Sequence, residues 1–132
     1  MSKSKDLLTE RVDLELSIDE NNINAELMDQ PLLYRKYSRL EAEAAAAMRA
    51  IETKLERAKA KAHLHFSKGS QKLKVRDVEA LVMGDEDVIR LEQELIDAQE
   101  LHSNMKGILV AFRQRHEALK DLSANIRKEI VD

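Results

Sequence analysis

The sequence predicts an all-α fold: two long helices with a short intervening helix, a coiled-coil-like C-terminal seam, and a short N-terminal segment of extended character. Three observations predict it. Among 132 residues there are one Pro and three Gly, so the chain has few places to turn. Apolar residues make up 43% but aromatics only 3%, so the apolar mass is Leu, Ile, Val, Met and Ala, which suits helices packing on helices. Charged residues make up 36%, above the roughly 25% of an ordinary globular domain, which points to long helices with a large solvated surface. A single chain of this kind covers its own apolar stripes poorly, so self-association is the expected remedy.

Residues 1–30 form an acidic N-terminal segment, frayed over its first five positions. From Arg11 onward, Val12, Leu14, Leu16 and Ile18 alternate with polar residues. A period of two predicts an extended segment, with a short helix from about Asp6 as the competing reading. Asp19-Glu20-Asn21-Asn22 reads as a turn, with Asn22 capping a short helix over Ile23–Met28. Asp29-Gln30-Pro31 is the clearest start signal: an Asp that accepts orphan amides, then a Pro suited to a first helical turn.

Residues 31–132 then read as one helical domain. Its first helix is predicted to run to about Phe66, with apolar positions at Leu33, Tyr37, Leu40, Ala44, Met48, Ile51, Leu55, Ala58, Ala62 and Phe66. Their steps of three and four trace one helical face. Small side chains at Ala44–Ala47 permit close approach of another helix. Ser67-Lys68-Gly69-Ser70 breaks the helix and Lys72–Arg76 is a polar link. Asp77–Met83 makes a short helix ended by Gly84, and Asp85 caps the last helix. That helix carries a seam at Val88, Leu91, Leu95, Ala98, His102, Met105, Leu109, Phe112, His116, Leu119, Ser123, Ile126 and Ile130, in strict three–four alternation. Gly107 interrupts it at a cost of about 1 kcal/mol. Met105, Leu109, Phe112, His116, Leu119 and Ile126 are the predicted oligomerisation residues.

The net charge is −3, but its distribution matters more. Residues 54–76 hold 8 basic side chains and one acidic, whereas residues 1–30 hold 3 and 8, and residues 77–132 hold 7 and 13. Such segregation marks a contact surface. Lys54, Arg57, Lys59 and Lys61 lie on the end of the long helix, and Lys68, Lys72, Lys74 and Arg76 follow it, opposed only by Glu56. Lysines neutralise phosphates by displacing counterions, which needs no special geometry. Phe66, Tyr37 or His65 offers a face for a base to stack on. Charge alone leaves a second reading equally open, in which these lysines pair with acidic segments of neighbouring subunits.

His63 and His65 stand two apart, on different sides of a helix, with no carboxylate placed to complete a metal site; both more naturally extend the basic patch below neutral pH. His102 and His116, two heptads apart, read as interface histidines that set register. Asp85-Glu86-Asp87 lacks calcium-loop spacing and is better explained by the cap. There is no cysteine, no Gly-rich phosphate loop, no Gly-x-Ser-x-Gly elbow and no His-Glu-x-x-His motif, so catalysis, a metal and a cofactor are all unexpected. No apolar run reaches the roughly 18 residues of a membrane span, and cytoplasmic residence is expected.

Ile18-Asp19, Glu26, Leu33-Tyr34-Arg35-Lys36-Tyr37, Met48-x-x-Ile51-Glu52 and Asp85-x-Asp87-Val88-Ile89-Arg90 stand in an order and spacing that resembles the phage recombination mediators typified by UvsY. The resemblance covers most of residues 18–90 in outline. It implies a homo-oligomeric ring that binds single-stranded DNA, weakens the coat of single-strand-binding protein and loads a RecA-like recombinase, without a nucleotide cofactor and in the host cytoplasm. The family's DNA-contacting Lys-Ala-Arg maps onto Lys59-Ala60-Lys61 or, one register on, Lys61-Ala62-His63. Its oligomerising C-terminal region maps by position onto residues 101–130. A non-enzymatic coiled-coil adaptor or phage assembly protein is the alternative.

Overall fold

The computed structural model describes the backbone of residues 2–68 and 74–131 and the side chains of residues 7–68 and 74–130. Among them are helix α1 (Ser2–Leu16), a 3-10 turn (Glu20–Asn22), α2 (Ile23–Ser67), α3 (Val75–Met83) and α4 (Glu86–Val131), with no strand. The all-α reading therefore stands. The chain divides into two compact units, Met1–Glu41 with Asn104–Asp132, and Ala42–Ser103.

In the first unit, the extended reading of the N-terminal segment is corrected: residues 2–16 are helical. A period-two run of four residues is too short to outweigh what the end of this helix gains from its neighbours. Val12 is buried, while Leu14 is left 74% exposed. The carbonyls of Leu16 and Ser17 accept hydrogen bonds from the Arg115 guanidinium at 3.3 and 3.4 Å. Asp19 closes the following turn through the amide of Asn21 at 3.0 Å. α2 then begins at Ile23 and runs through Pro31, so Asp29 is not a cap and Pro31 does not open the helix. A proline inside a helix costs about 3 kcal/mol. The offset lies just before it, where Arg115 binds Glu26 and donates to Gln30 Oε1 at 2.5 Å. Gln30 in turn donates to the Phe112 carbonyl at 2.7 Å.

Tyr37 and Phe112 are both fully buried, with ring centroids 4.7 Å apart in a stacked arrangement. Burial, with the nearby Glu15 carboxylate second, pushes the Tyr37 hydroxyl up to about 12. That hydroxyl faces the Glu15 carboxylate but makes no well-formed hydrogen bond among the described residues. The seam of α4 passes from Phe112 to Arg115 to Leu119, all buried, and leaves His116 exposed. The three–four alternation had placed His116 inward. A step of three followed by four serves the helix equally well, and the carboxylate of Glu26 decides between them.

The second unit has an apolar core of Leu55, Ala62, Val78, Val82, Val88 and Leu91, with Ala58, Phe66 and Leu95 packed against it. All ten predicted apolar positions of α2 are buried or half-buried. α3 starts two residues earlier than predicted, at Val75, and turns Val78 and Val82 inward. Gly84 closes it by donating its amide to the Ala80 and Leu81 carbonyls, both at 3.2 Å, in an ordinary right-handed conformation. Asp85 caps α4 by accepting the Val88 amide at 3.3 Å.

Candidate nucleic-acid interface

The half of α2 that lies in the second unit is basic for a simple reason. Its apolar row, Leu55, Ala58, Ala62 and Phe66, is spent on the core, and the positions left over carry Lys54, Arg57, Lys59, Lys61 and His63, with Lys68 just past its end. All six are exposed, as are Lys74 and Arg76 at the start of α3. Lys72 lies outside the described residues.

At about 100° per residue, the cations of α2 do not share one side. Lys54, Arg57 and Lys61 follow one another at steps of three and four and form a single row on one flank, which Lys68 continues just past the helix end, its amide still donating to the Leu64 carbonyl at 3.2 Å. Lys59 falls about 200° from Lys61, on the opposite flank, with Glu52, Glu56 and His63. Its ammonium lies 3.9 Å from the Glu92 carboxylate of α4. None of the ion pairs among the described residues involves Lys54, Arg57, Lys61 or Lys68. The row is therefore a set of uncompensated charges in a net-acidic chain, which is the electrostatic form of a phosphate-binding surface. The Lys-Ala-Lys spacing drew attention to Lys59 and Lys61 together, and the helix separates them.

The aromatics sort differently from expectation. Tyr37 belongs to the core of the other unit and offers no face to a ligand. Phe66 is half-buried against the apolar cluster. His65 is exposed, its ring edge-on to Phe66 at 5.2 Å. His63 lies 3.3 Å from the Ser67 hydroxyl, one turn on.

The oligomerisation residues also divide. Met105, Phe112 and Leu119 are buried within the chain, Leu109 is half-buried, and His116 and Ile126 are exposed. Sequence reasoning missed Arg115 and Gln30, the only buried polar side chains of the described core. A charge beside a heptad position carries no signal of burial until its partner on another helix is known. Among the described residues no three or more His, Cys, Asp or Glu side chains are placed to hold a metal, and no helix is long and apolar enough to cross a membrane.

The family described as the recombination, repair and ssDNA binding protein UvsY matches residues 11–128. No curated protein matches. Three crystal structures of the bacteriophage T4 recombination mediator protein UvsY share the fold. Lattice type IV matches with a TM-score of 0.82 at 20% identity, over 94% of this chain and 97% of that one. Lattice type II gives 0.80 at 20% identity, over 95% and 96%. Lattice type I gives 0.77 at 22% identity, over 92% and 98%.

Proposed function

The chain belongs to the UvsY family, and on that premise we propose that it is a recombination mediator that binds single-stranded DNA as a homo-oligomeric ring. Bound there, it weakens the coat of single-strand-binding protein and promotes loading of a RecA-like recombinase. The observation that carries this reading is the row Lys54, Arg57, Lys61 and Lys68, uncompensated on one flank of a helix in a chain of net charge −3. Lys59, His63, Lys72, Lys74 and Arg76 belong to the same basic stretch and supply a wider electrostatic field.

The mechanism needs differential binding and no bond-making. One row offers a few weak phosphate contacts, and a ring multiplies them, so affinity grows by effective concentration rather than by new contacts. A strand drawn onto the ring leaves fewer phosphates for the coat protein. Residues 31–132 carry the DNA-binding and self-association roles, and the acidic residues 1–30 repel DNA and face protein partners. Subunits meet along the C-terminal half of α4, where Leu109, His116 and Ile126 keep accessible surface and Met105, Phe112 and Leu119 form the packed wall beneath. The place of action is the cytoplasm of the host cell.

Anisotropy of a labelled single-stranded oligonucleotide, with a duplex control and a salt series, tests the reading. Single-strand preference with a steep fall in salt is expected. No binding at low salt would overturn it and leave the basic stretch as a protein contact of a coiled-coil adaptor.

A further inference from the structure

The cation row of α2 has one apolar member. Leu64 stands three residues after Lys61 and four before Lys68, so it is a surface neighbour of both, with Arg57 two turns back on the same flank. It is 57% exposed. It points away from the core, which takes Leu55, Ala58, Ala62 and Phe66 from the other side of the helix. Singly exposed leucines are common on protein surfaces. What sets this one apart is its position: between two unpaired cations of the row, Lys61 and Lys68, where a polar side chain would serve solubility better. His65, also exposed, lies beside it with its ring fixed edge-on to Phe66 at 5.2 Å.

We propose that Leu64, with His65 beside it, is the base-contacting point that makes this cation row prefer a single strand to a duplex. The inference rests on the DNA-binding reading above and names the part of the nucleic acid that the apolar patch takes: the face of an unstacked base. A row of lysines alone does not discriminate, because single strands and duplexes both present phosphates. The difference between them lies in the bases. In a duplex the base faces are stacked on one another. In a single strand they are free, and covering one removes apolar surface from water. An apolar side chain between two cations of the row meets a base wherever the strand lies along it. Every base has such a face, so the contact favours single strands without favouring a sequence. The row's charge is complementary to phosphate, and on the DNA-binding reading above it places a strand over Leu64.

The full chain carrying Leu64→Ala tests this, with Leu64→Phe as the conservative variant. Alanine keeps helix propensity at an exposed position, so the fold is preserved. Binding is measured by anisotropy to a labelled thymidine oligonucleotide and to a blunt duplex, each across a salt series, with subunit number from light scattering. Leu64→Ala is expected to weaken single-strand binding about five- to tenfold, the range that burial of most of a leucine side chain provides. Duplex affinity, salt slope and subunit number stay unchanged, and Leu64→Phe restores single-strand binding. Unchanged single-strand affinity in Leu64→Ala would overturn the inference and leave the proposed function standing. A parallel loss for single strand and duplex, or a changed subunit number, would likewise overturn it by making Leu64 a structural or intersubunit residue. If the unmodified chain binds no single strand, the proposed function falls first and this inference with it.

Discussion

The two compact units of this chain solve the same packing problem by opposite means. Ala42–Ser103 is held by a cluster of aliphatic side chains with every charge on its surface. Met1–Glu41 with Asn104–Asp132 is organised around a buried guanidinium: Arg115, 5% exposed, joins the end of α1 to Glu26 and Gln30 of α2. The consequence differs too. An apolar core tolerates substitution by degrees and leaves the whole surface free to carry charge, and this is the unit with the cation row. A buried charge is specific and unforgiving, because every partner must be present. The family-like residues Glu26 and Tyr37 fall in the unforgiving unit, where they bind Arg115 and stack on Phe112. They act through the fold, while the cation row sits in the other unit.

The sharpest way to break this contrast is Arg115→Ala. Glu26 and Gln30 lose their partner inside the protein, and about 3–5 kcal/mol of stability is expected to go with it. Urea denaturation measures this, and a loss under 1 kcal/mol would mean that the hub is ornamental. The matching change in the other unit is Leu91→Ala, which leaves a cavity in the aliphatic cluster. About 2–4 kcal/mol is expected, with DNA affinity per folded molecule unchanged.

A third comparison lies within α2 itself. Lys54→Ala with Lys61→Ala removes two members of the uncompensated row and should lower the salt slope for single-stranded DNA by about 0.7 per lysine. Lys59→Ala, on the other flank and facing Glu92, should change that slope by much less. Equal effects would merge the two flanks into one surface.

The smallest expected effect is at Tyr37. Tyr37→Phe deletes a buried hydroxyl whose polar neighbour, the Glu15 carboxylate, is poorly bonded to it, and should change stability by no more than about 1 kcal/mol at neutral pH. It also removes a pH dependence. The hydroxyl is raised from 10.0 to about 12 in the folded protein. The unfolded chain therefore loses this proton first, and the contribution, complete below pH 10, is lost as pH rises toward 12. Thermal melts of both proteins across that window should diverge, with the tyrosine form falling faster.

Much of this was legible in the residues. The ten apolar positions of α2, the break after Ser67, the short α3, the Asp85 cap and the long last helix all follow from local periodicity and capping, and all are present. The basic stretch was legible as composition, because charge segregation needs no geometry to be noticed. Its division into a free row and a paired Lys59 was not, because Glu92 stands 33 positions further along the sequence and only packing brings it to 3.9 Å.

By itself, then, the sequence determined the class of the fold, the inward faces of the long helices and the place where positive charge gathers. These depend on neighbours within a turn or two. Only the tertiary structure decided that residues 2–16 are helical, that α2 passes through Pro31, and that Arg115 rather than His116 turns inward. In each case the local preference is weak or adverse, on the order of a few kcal/mol at most. A buried ion pair and its hydrogen bonds between residues 89 positions apart outweigh it.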